Sequence, residues 1–275
     1  MKINGLAADQ ITRLKDSATK SEKQLIDIIE KMNIDELIYK SITELSDVTG
    51  VAEATIVRFC RKMGFKGFQD FKLKISKDAF FNTESRIDSI PLGIAHGMND
   101  AVNLSAENID YEECKKIAEL IISARKVCAF GAANSNIAAQ SLRNRLMKTG
   151  INVDTAFDPH FQNIIAANMS EKDLLILISV SGSTKDLLEI ADIAKSAGTP
   201  IVLITNSSKS PLGSRADYIL YGSKRESPLE GGSFATMAAQ LFVVSVLCAA
   251  VYRMLGEGGK EAAERATASV TDKML

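Results

Sequence analysis

Between Ile178 and Thr184 the chain reads Ile-Ser-Val-Ser-Gly-Ser-Thr. Ser179, Ser181, Ser183 and Thr184 supply hydroxyls, and Gly182 sits among them. The apolar run Leu174 to Ile178 precedes this stretch, and a helical pattern begins near Lys185. It therefore belongs at a turn from a strand into a helix. A helix N-terminus presents unpaired backbone N–H groups and a partial positive charge. Hydroxyls and a glycine at that place can cradle a phosphate. The same composition would also serve an ordinary turn capped by Ser or Thr, and both readings stand on these residues alone.

A second chemistry lies nearer the N-terminus. Ile56, Phe59, Cys60 and Met63 recur at helical spacing, and Gly64 ends the pattern. The opposite face carries Thr55, Arg58 and Lys62, with Arg61 alongside. Ahead of it, Ser41 with Glu44 forms a capping box for a short helix through Leu45 and Val48, stopped near Gly50. Ser21 with Gln24 reads as an earlier capping box, before the apolar face of Leu25, Ile28, Ile29 and Met32. A short helix, a turn with glycine and a helix with a basic outer face make the helix-turn-helix pattern. Lys66, Lys72, Lys74 and Lys77 follow, on a segment built on Phe65, Phe68, Phe71 and Ile75. From Val51 to Lys77 there are seven Lys or Arg against Glu53 and Asp70, a local excess that suits a phosphate backbone. A small helical bundle with a solvated basic face is the plainer reading of the same pattern.

The run from Thr55 to Lys72, Thr-Ile-Val-Arg-Phe-Cys-Arg-Lys-Met-Gly-Phe-Lys-Gly-Phe-Gln-Asp-Phe-Lys, resembles the signature of the RpiR family of bacterial transcriptional regulators. The resemblance extends from about Ser21 to Lys77. It implies a winged-helix-like, all-α DNA-binding domain, with Thr55, Arg58, Arg61, Lys62 and Lys66 on double-stranded DNA.

The whole chain of 275 residues has a formal net charge of −1, so the basic patch shows only by region. Hydrophobic residues at 46% and charged residues at 24% are ordinary for a globular chain. Cys60, Cys114, Cys128 and Cys248 lack C-x-x-C spacing, which argues against zinc and disulfides and fits a reducing cytosol. The first residues lack the apolar run of a signal peptide. From Gly231 to Tyr252 there is no charged residue, long enough for a membrane span. Ser233, Thr236, Gln240 and Ser245 interrupt it, and a buried helix covering a sheet is the expectation. Asn82 to Asp100, with Pro91, Gly93 and Gly97, reads as a connection. The expected division is 1–79 for the helix-turn-helix domain, 80–107 for a linker or connecting helix, and 108–275 for a second domain.

That second domain alternates strands and helices. Strands are expected at 126–131, 151–155, 173–179, 200–205 and 216–221, with helices at 135–148, 158–168, 185–197 and from about Gly232. Such βα units imply a parallel sheet covered by helices on both faces, with ligands at the carboxyl ends of strands. Two loops qualify: Gly131-Ala132-Ala133-Asn134-Ser135 and Ser179 to Thr184. The first lacks G-x-G-x-x-G, so no nicotinamide or other cofactor is expected.

Together, these two loops, Asp158 to Gln162, Thr205-Asn206, Ser210 to Leu212 and Ala216-Asp217 resemble the SIS (sugar isomerase) domain, over about Ile109 to Tyr252. The resemblance implies a Rossmann-like three-layer fold and a phosphosugar effector. Ser179, Ser181 and Thr184 would bind phosphate through hydroxyls, and Gly182 and Ser183 through backbone N–H groups. Ser135, Asn134, His160 and Glu226 complete the implied effector set. One departure stands out: the family's first loop often has a second glycine where this chain has Ala133. SIS domains also occur in sugar-phosphate isomerases, and His160, Glu226 and Glu230 are the candidates for proton transfer here. A basic recognition helix favours a sensor over a catalyst. The expectation is therefore a cytoplasmic transcriptional regulator of sugar metabolism, without catalytic or metal residues and without a membrane. As a homodimer or homotetramer it would meet a palindromic operator. The alternative is an isomerase with an accessory helical domain.

Overall fold

The computed structural model describes residues 6–80, 90–207, 209–222 and 233–271. They fall into two compact units, which divide the main run of the chain between Gly93 and Ile94.

The N-terminal unit runs through α1 (Leu6–Leu14), α2 (Lys20–Lys31), α3 (Ile34–Tyr39), α4 (Ile42–Thr49), α5 (Glu53–Lys62) and α6 (Phe68–Phe80). Its described elements are all helices, in place of the strands that a winged helix would add. The first capping box is displaced from its expected place. Thr19, not Ser21, caps α2: its hydroxyl accepts from the Glu22 amide, while the Glu22 carboxylate accepts from the Thr19 amide at 2.8 Å. Ser21 and Gln24 satisfy the same sequence rule two residues on. Ser41 and Glu44 form the second box as expected. α4 ends at Gly50 in the left-handed conformation, and the Gln24 side chain donates to the Thr49 carbonyl beside it. Ile56, Phe59, Cys60 and Met63 point into a core shared with Phe65, Phe68, Phe71 and Ile75.

The connection is more helical than the sequence suggests. α7 (Ile90–Asn108) occupies much of the stretch read as a linker or connecting helix. Pro91 falls in its first turn, where a missing N–H costs nothing, so the proline starts the helix instead of breaking it.

The C-terminal unit continues through α8 (Tyr111–Ser123), β1 (Val127–Gly131), α9 (Ser135–Met147), β2 (Val153–Asp154), α10 (Pro159–Ala167), β3 (Leu174–Ile178), α11 (Lys185–Ser196), β4 (Ile201–Thr205), β5 (Tyr218–Tyr221) and α12 (Phe234–Thr271). The strands form one parallel sheet in the order β2-β1-β3-β4-β5. Every residue of β1, β3 and β4 is buried, as a sheet covered on both faces requires. Residues of α8, α9 and α12 build the core on one face, and residues of α10 and α11 build it on the other. α12 is long and apolar enough to cross a membrane by length and composition. Val243, Val244, Leu247 and Val251 instead pack into the core beside α8 and α9. It kinks at Gly256, whose φ of 55° and ψ of −131° leave the helical region. All four cysteines are buried free thiols, and burial pushes Cys60, Cys128 and Cys248 up to about 12.

The end of the sheet opposite the candidate loops is locked by an ion pair. Arg125 Nε and Nη2 donate to the two oxygens of Asp173 at 2.9 and 2.7 Å. The Ser170 amide and hydroxyl donate to Asp173 Oδ2 as well. The Arg125 guanidinium, helped by Ser170, holds the Asp173 carboxyl below the usual carboxylate range against the opposing effect of burial. A carboxyl depressed on folding contributes stability above its unfolded value, about pH 4, and loses it as pH falls through the folded value. Asp173→Asn is accordingly expected to cost about 2 kcal/mol near pH 7. It should also flatten the acid limb of a plot of stability against pH, as urea melts at stepped pH would register.

Candidate functional site

β1 is where the sheet changes direction. β2 pairs on one side of it and β3 on the other, while α9 and α11 cover opposite faces. Gly131 at the end of β1 pairs with Ile178 at the end of β3. The loops leaving these strands start level at the topological switch point, the place where sheets of this kind bind ligands. The two hydroxyl-bearing loops of the sequence are these two loops.

The β3–α11 loop is tightly folded. Ser179 is buried, and its hydroxyl accepts from the Gly182 amide at 3.2 Å and lies 3.1 Å from Thr184 Oγ1. Ser179 is thus a brace of the loop. Ser181 is exposed, and its hydroxyl accepts from the Ser183 amide at 3.2 Å. Thr184 is the N-cap residue of α11, but its side chain makes no capping bond, so the first-turn amides keep their capacity for an anion. Gly182 has φ of 60°, and a Cβ there would stand 2.1 Å from Ser210 Oγ. The buried Ser210, Thr205 and the Leu212 amide clamp the loop from outside: Thr205 donates to the Val180 carbonyl, and Leu212 to the Gly182 carbonyl.

In the β1–α9 loop, a Cβ on Gly131 would meet the Ser135 backbone at 2.5 Å, so the turn into α9 requires glycine. Ala133 has φ of 48°, the left-handed backbone that favours glycine and explains why one would suit this position. Asn134 is exposed, whereas Ser135 is buried and accepts from Gln240 of α12. His160 lies in the first turn of α10, exposed, with its backbone amide on the capping Asp158. Glu226 and Glu230 lie outside the described residues.

A set of buried amides braces the site, of which the sequence singles out Gln162 only as part of the Asp158 to Gln162 segment and assigns the others no role. Gln162 donates to the Gly131 and Ala156 carbonyls, Asn136 also donates to Ala156, and Gln240 reaches Ser135. All three are almost fully buried. Their signal was polarity at positions of helices that periodicity assigns to the core. In the sequence Gln240 is an interruption of an apolar run.

On the other unit, α5 presents Arg58, Arg61 and Lys62 as exposed residues and Thr55 as half-buried, and Lys66 is exposed in the turn that follows the helix. Arg58 Nη2 donates to Thr55 Oγ1 at 3.1 Å, so the two stand together on one face. Arg61 reaches the Lys66 carbonyl. Lys62 is engaged inward: its ammonium lies 3.0 Å from the Glu22 carboxylate and also meets the Ser17 carbonyl. Burial would raise the Glu22 carboxyl, but the Thr19 amide and Lys62 together hold it below its ordinary range. Lys72, counted in the basic patch by sequence, is buried and donates to the Lys40 carbonyl at 2.9 Å.

A helix-turn-helix with an exposed basic face, joined to a doubly wound α/β unit with a cradle at its switch point, defines a DNA-binding regulator with a ligand-sensing module. Residues 5–80 match the helix-turn-helix domain of the rpiR family, and residues 120–250 match the SIS domain. An uncharacterized HTH-type transcriptional regulator of Haemophilus influenzae is 33% identical over 96% of this chain and 94% of its own. A second such regulator, from Clostridium perfringens, is 32% identical over 95% of this chain and 98% of its own. Among solved structures, the Vibrio vulnificus NanR protein complexed with ManNAc-6P superposes with a TM-score of 0.90 at 29% identity. That match covers 98% of this chain and 99% of that one. The chain belongs to the rpiR family of helix-turn-helix transcriptional regulators that carry a SIS domain.

Proposed function

We propose that the SIS unit senses a phosphosugar of the N-acetylated hexosamine phosphate type and that its occupancy sets operator affinity. The observation that carries this reading is the level start of the β1–α9 and β3–α11 loops at the switch point, with Gly182 left-handed and α11 without a side-chain cap from Thr184. The ManNAc-6P complex of the similar NanR protein supports the sugar class. In this reading Ser181, Thr184 and the amides of Gly182 and Ser183 take the phosphate, Ser179 braces them, and Ser135, Asn134, His160 and Glu226 face the sugar. Residues 1–79 bind DNA, 80–107 connect, and 108–275 bind the effector. Thr55, Arg58, Arg61 and Lys66 meet the DNA, with Lys62 positioned by Glu22. The protein works in the cytoplasm as a homodimer or homotetramer on a palindromic operator, and its SIS unit binds without turnover. Effector and operator then change each other's affinity by the same factor.

The test is a thermal-shift panel of ManNAc-6P, other hexose and hexosamine phosphates, and their unphosphorylated sugars. A specific ligand at a hundred times its Kd adds about 2.7 kcal/mol, several degrees for a chain of this size. The reading fails if no phosphorylated sugar shifts the melt, if the unphosphorylated sugar shifts it equally, or if the ligand is converted at enzymatic rates.

A further inference from the structure

α12 carries a buried amide in its core-facing stripe. Gln240 is 2% exposed, and Ala239, Val243, Val244 and Leu247 around it are buried and apolar. A bare amide there costs free energy unless it is hydrogen-bonded. Its Nε2 donates to Ser135 Oγ at 3.0 Å, a buried bond between residues 105 positions apart. Ser135 is the first residue of α9 and ends the β1–α9 loop, so the bond links that loop to α12. A serine hydroxyl has one hydrogen to give and two places to accept. Gln240 fills an accepting place. The Ser135 hydrogen is left to donate, and among the described residues it has no acceptor.

We propose that Gln240 is a positioning residue that fixes the direction of the Ser135 hydroxyl, so that Ser135 donates its hydrogen to an acceptor oxygen of the bound phosphosugar. The inference rests on the sensor reading above. It assigns Ser135 a single sense as a donor and makes α12 part of the site through one side chain. A buried hydroxyl already oriented by a neighbour loses little freedom when ligand arrives, which favours binding.

The experiment uses the full-length protein, titrated calorimetrically with the panel member that shifts the wild type most. Gln240→Met keeps the length of the side chain and removes its donor. It is expected to weaken effector binding about tenfold, with the melting temperature of the free protein close to wild type. In a Ser135→Ala background the same change should cost nothing further, since the group it orients is gone. Gln240→Glu supplies a second, independent readout. Its carboxylate can only accept, which turns the Ser135 hydrogen away from the ligand, whereas its protonated form can donate as the amide does. The affinity of Gln240→Glu relative to wild type should therefore rise as pH is lowered from about 8 to about 5. The proposal is overturned if Gln240→Met binds like wild type, if its loss persists undiminished in Ser135→Ala, or if the Gln240→Glu ratio stays flat with pH. Should the wild type bind no member of the panel, the sensor reading itself falls, and this inference with it. Binding by wild type with no effect of the variants removes only the role of Gln240.

Discussion

Gly182→Ala is expected to abolish the effector-induced thermal shift and to destabilise the free protein by about 3 kcal/mol. Two causes combine. The left-handed backbone at φ of 60° is costly for any residue with a Cβ, by about 1–2 kcal/mol. The new methyl would also stand 2.5 Å from Ser210 Cβ, and Ser210 is buried and cannot swing away. Relief would have to come from the loop, whose Gly182 amide and carbonyl are tied to Ser179 and Leu212. The amides proposed to hold phosphate would move with it. Gly198 supplies the control: its φ is 73°, but a Cβ there meets only Glu171 Cβ at 3.8 Å. Gly198→Ala should lose about 1 kcal/mol and keep the full effector shift. Equal effector binding by Gly182→Ala and wild type would remove Ser179 to Thr184 from the site.

Arg58→Ala is expected to weaken operator binding about 10- to 100-fold per half-site while leaving folding and effector binding intact. The side chain is exposed and its described hydrogen bond is local, to Thr55 on the same helix, so its loss opens no core. Fluorescence anisotropy on an operator fragment, repeated across a salt series, separates its role from that of its neighbours. A phosphate-contacting lysine changes the salt slope and acts alike on all sequences, whereas an arginine reading base edges changes specificity. Lys62→Ala should behave differently, because Lys62 is engaged by Glu22. A modest loss of stability, within about 1 kcal/mol, accompanies any loss of DNA affinity there. Undiminished operator binding by Arg58→Ala would mean that α5 does not read the DNA.

The α/β unit was the more legible half. Its central strands are short, mostly apolar and bounded by glycines and polar turns, so periodicity and length together locate β1, β3 and β4 to within a residue or two. The edge strands were read longer than they are, β2 as five residues where Val153 and Asp154 alone pair. An edge strand has one neighbour to hold it, and β2 leaves β1 after Cys128 although β1 continues to Gly131. The helical unit misled in its polar residues. Lys72 has the composition of a surface cation, yet it is buried, with its ammonium over the Phe68 ring and donating to the Lys40 carbonyl. Long side chains can bury their stems while satisfying the charged end, so residue type alone does not say which lysines face DNA.

What the order of residues determined by itself was local. The capping box at Ser41, the left-handed stop at Gly50, the apolar stripe of α5 and the hydroxyl-rich turn after β3 each depend on groups within about four positions of one another. Their spacing is therefore written in the chain. The tertiary structure decided which of these groups have partners. It set Glu22 against Lys62 across 40 positions, Lys72 against Lys40 across 32, and Gln240 against Ser135 across 105. Periodicity tells which face of a helix is buried, not what stands opposite it. That information exists only once α12 has packed beside α9, and it turns a polar interruption in an apolar run into the partner of the Ser135 hydroxyl.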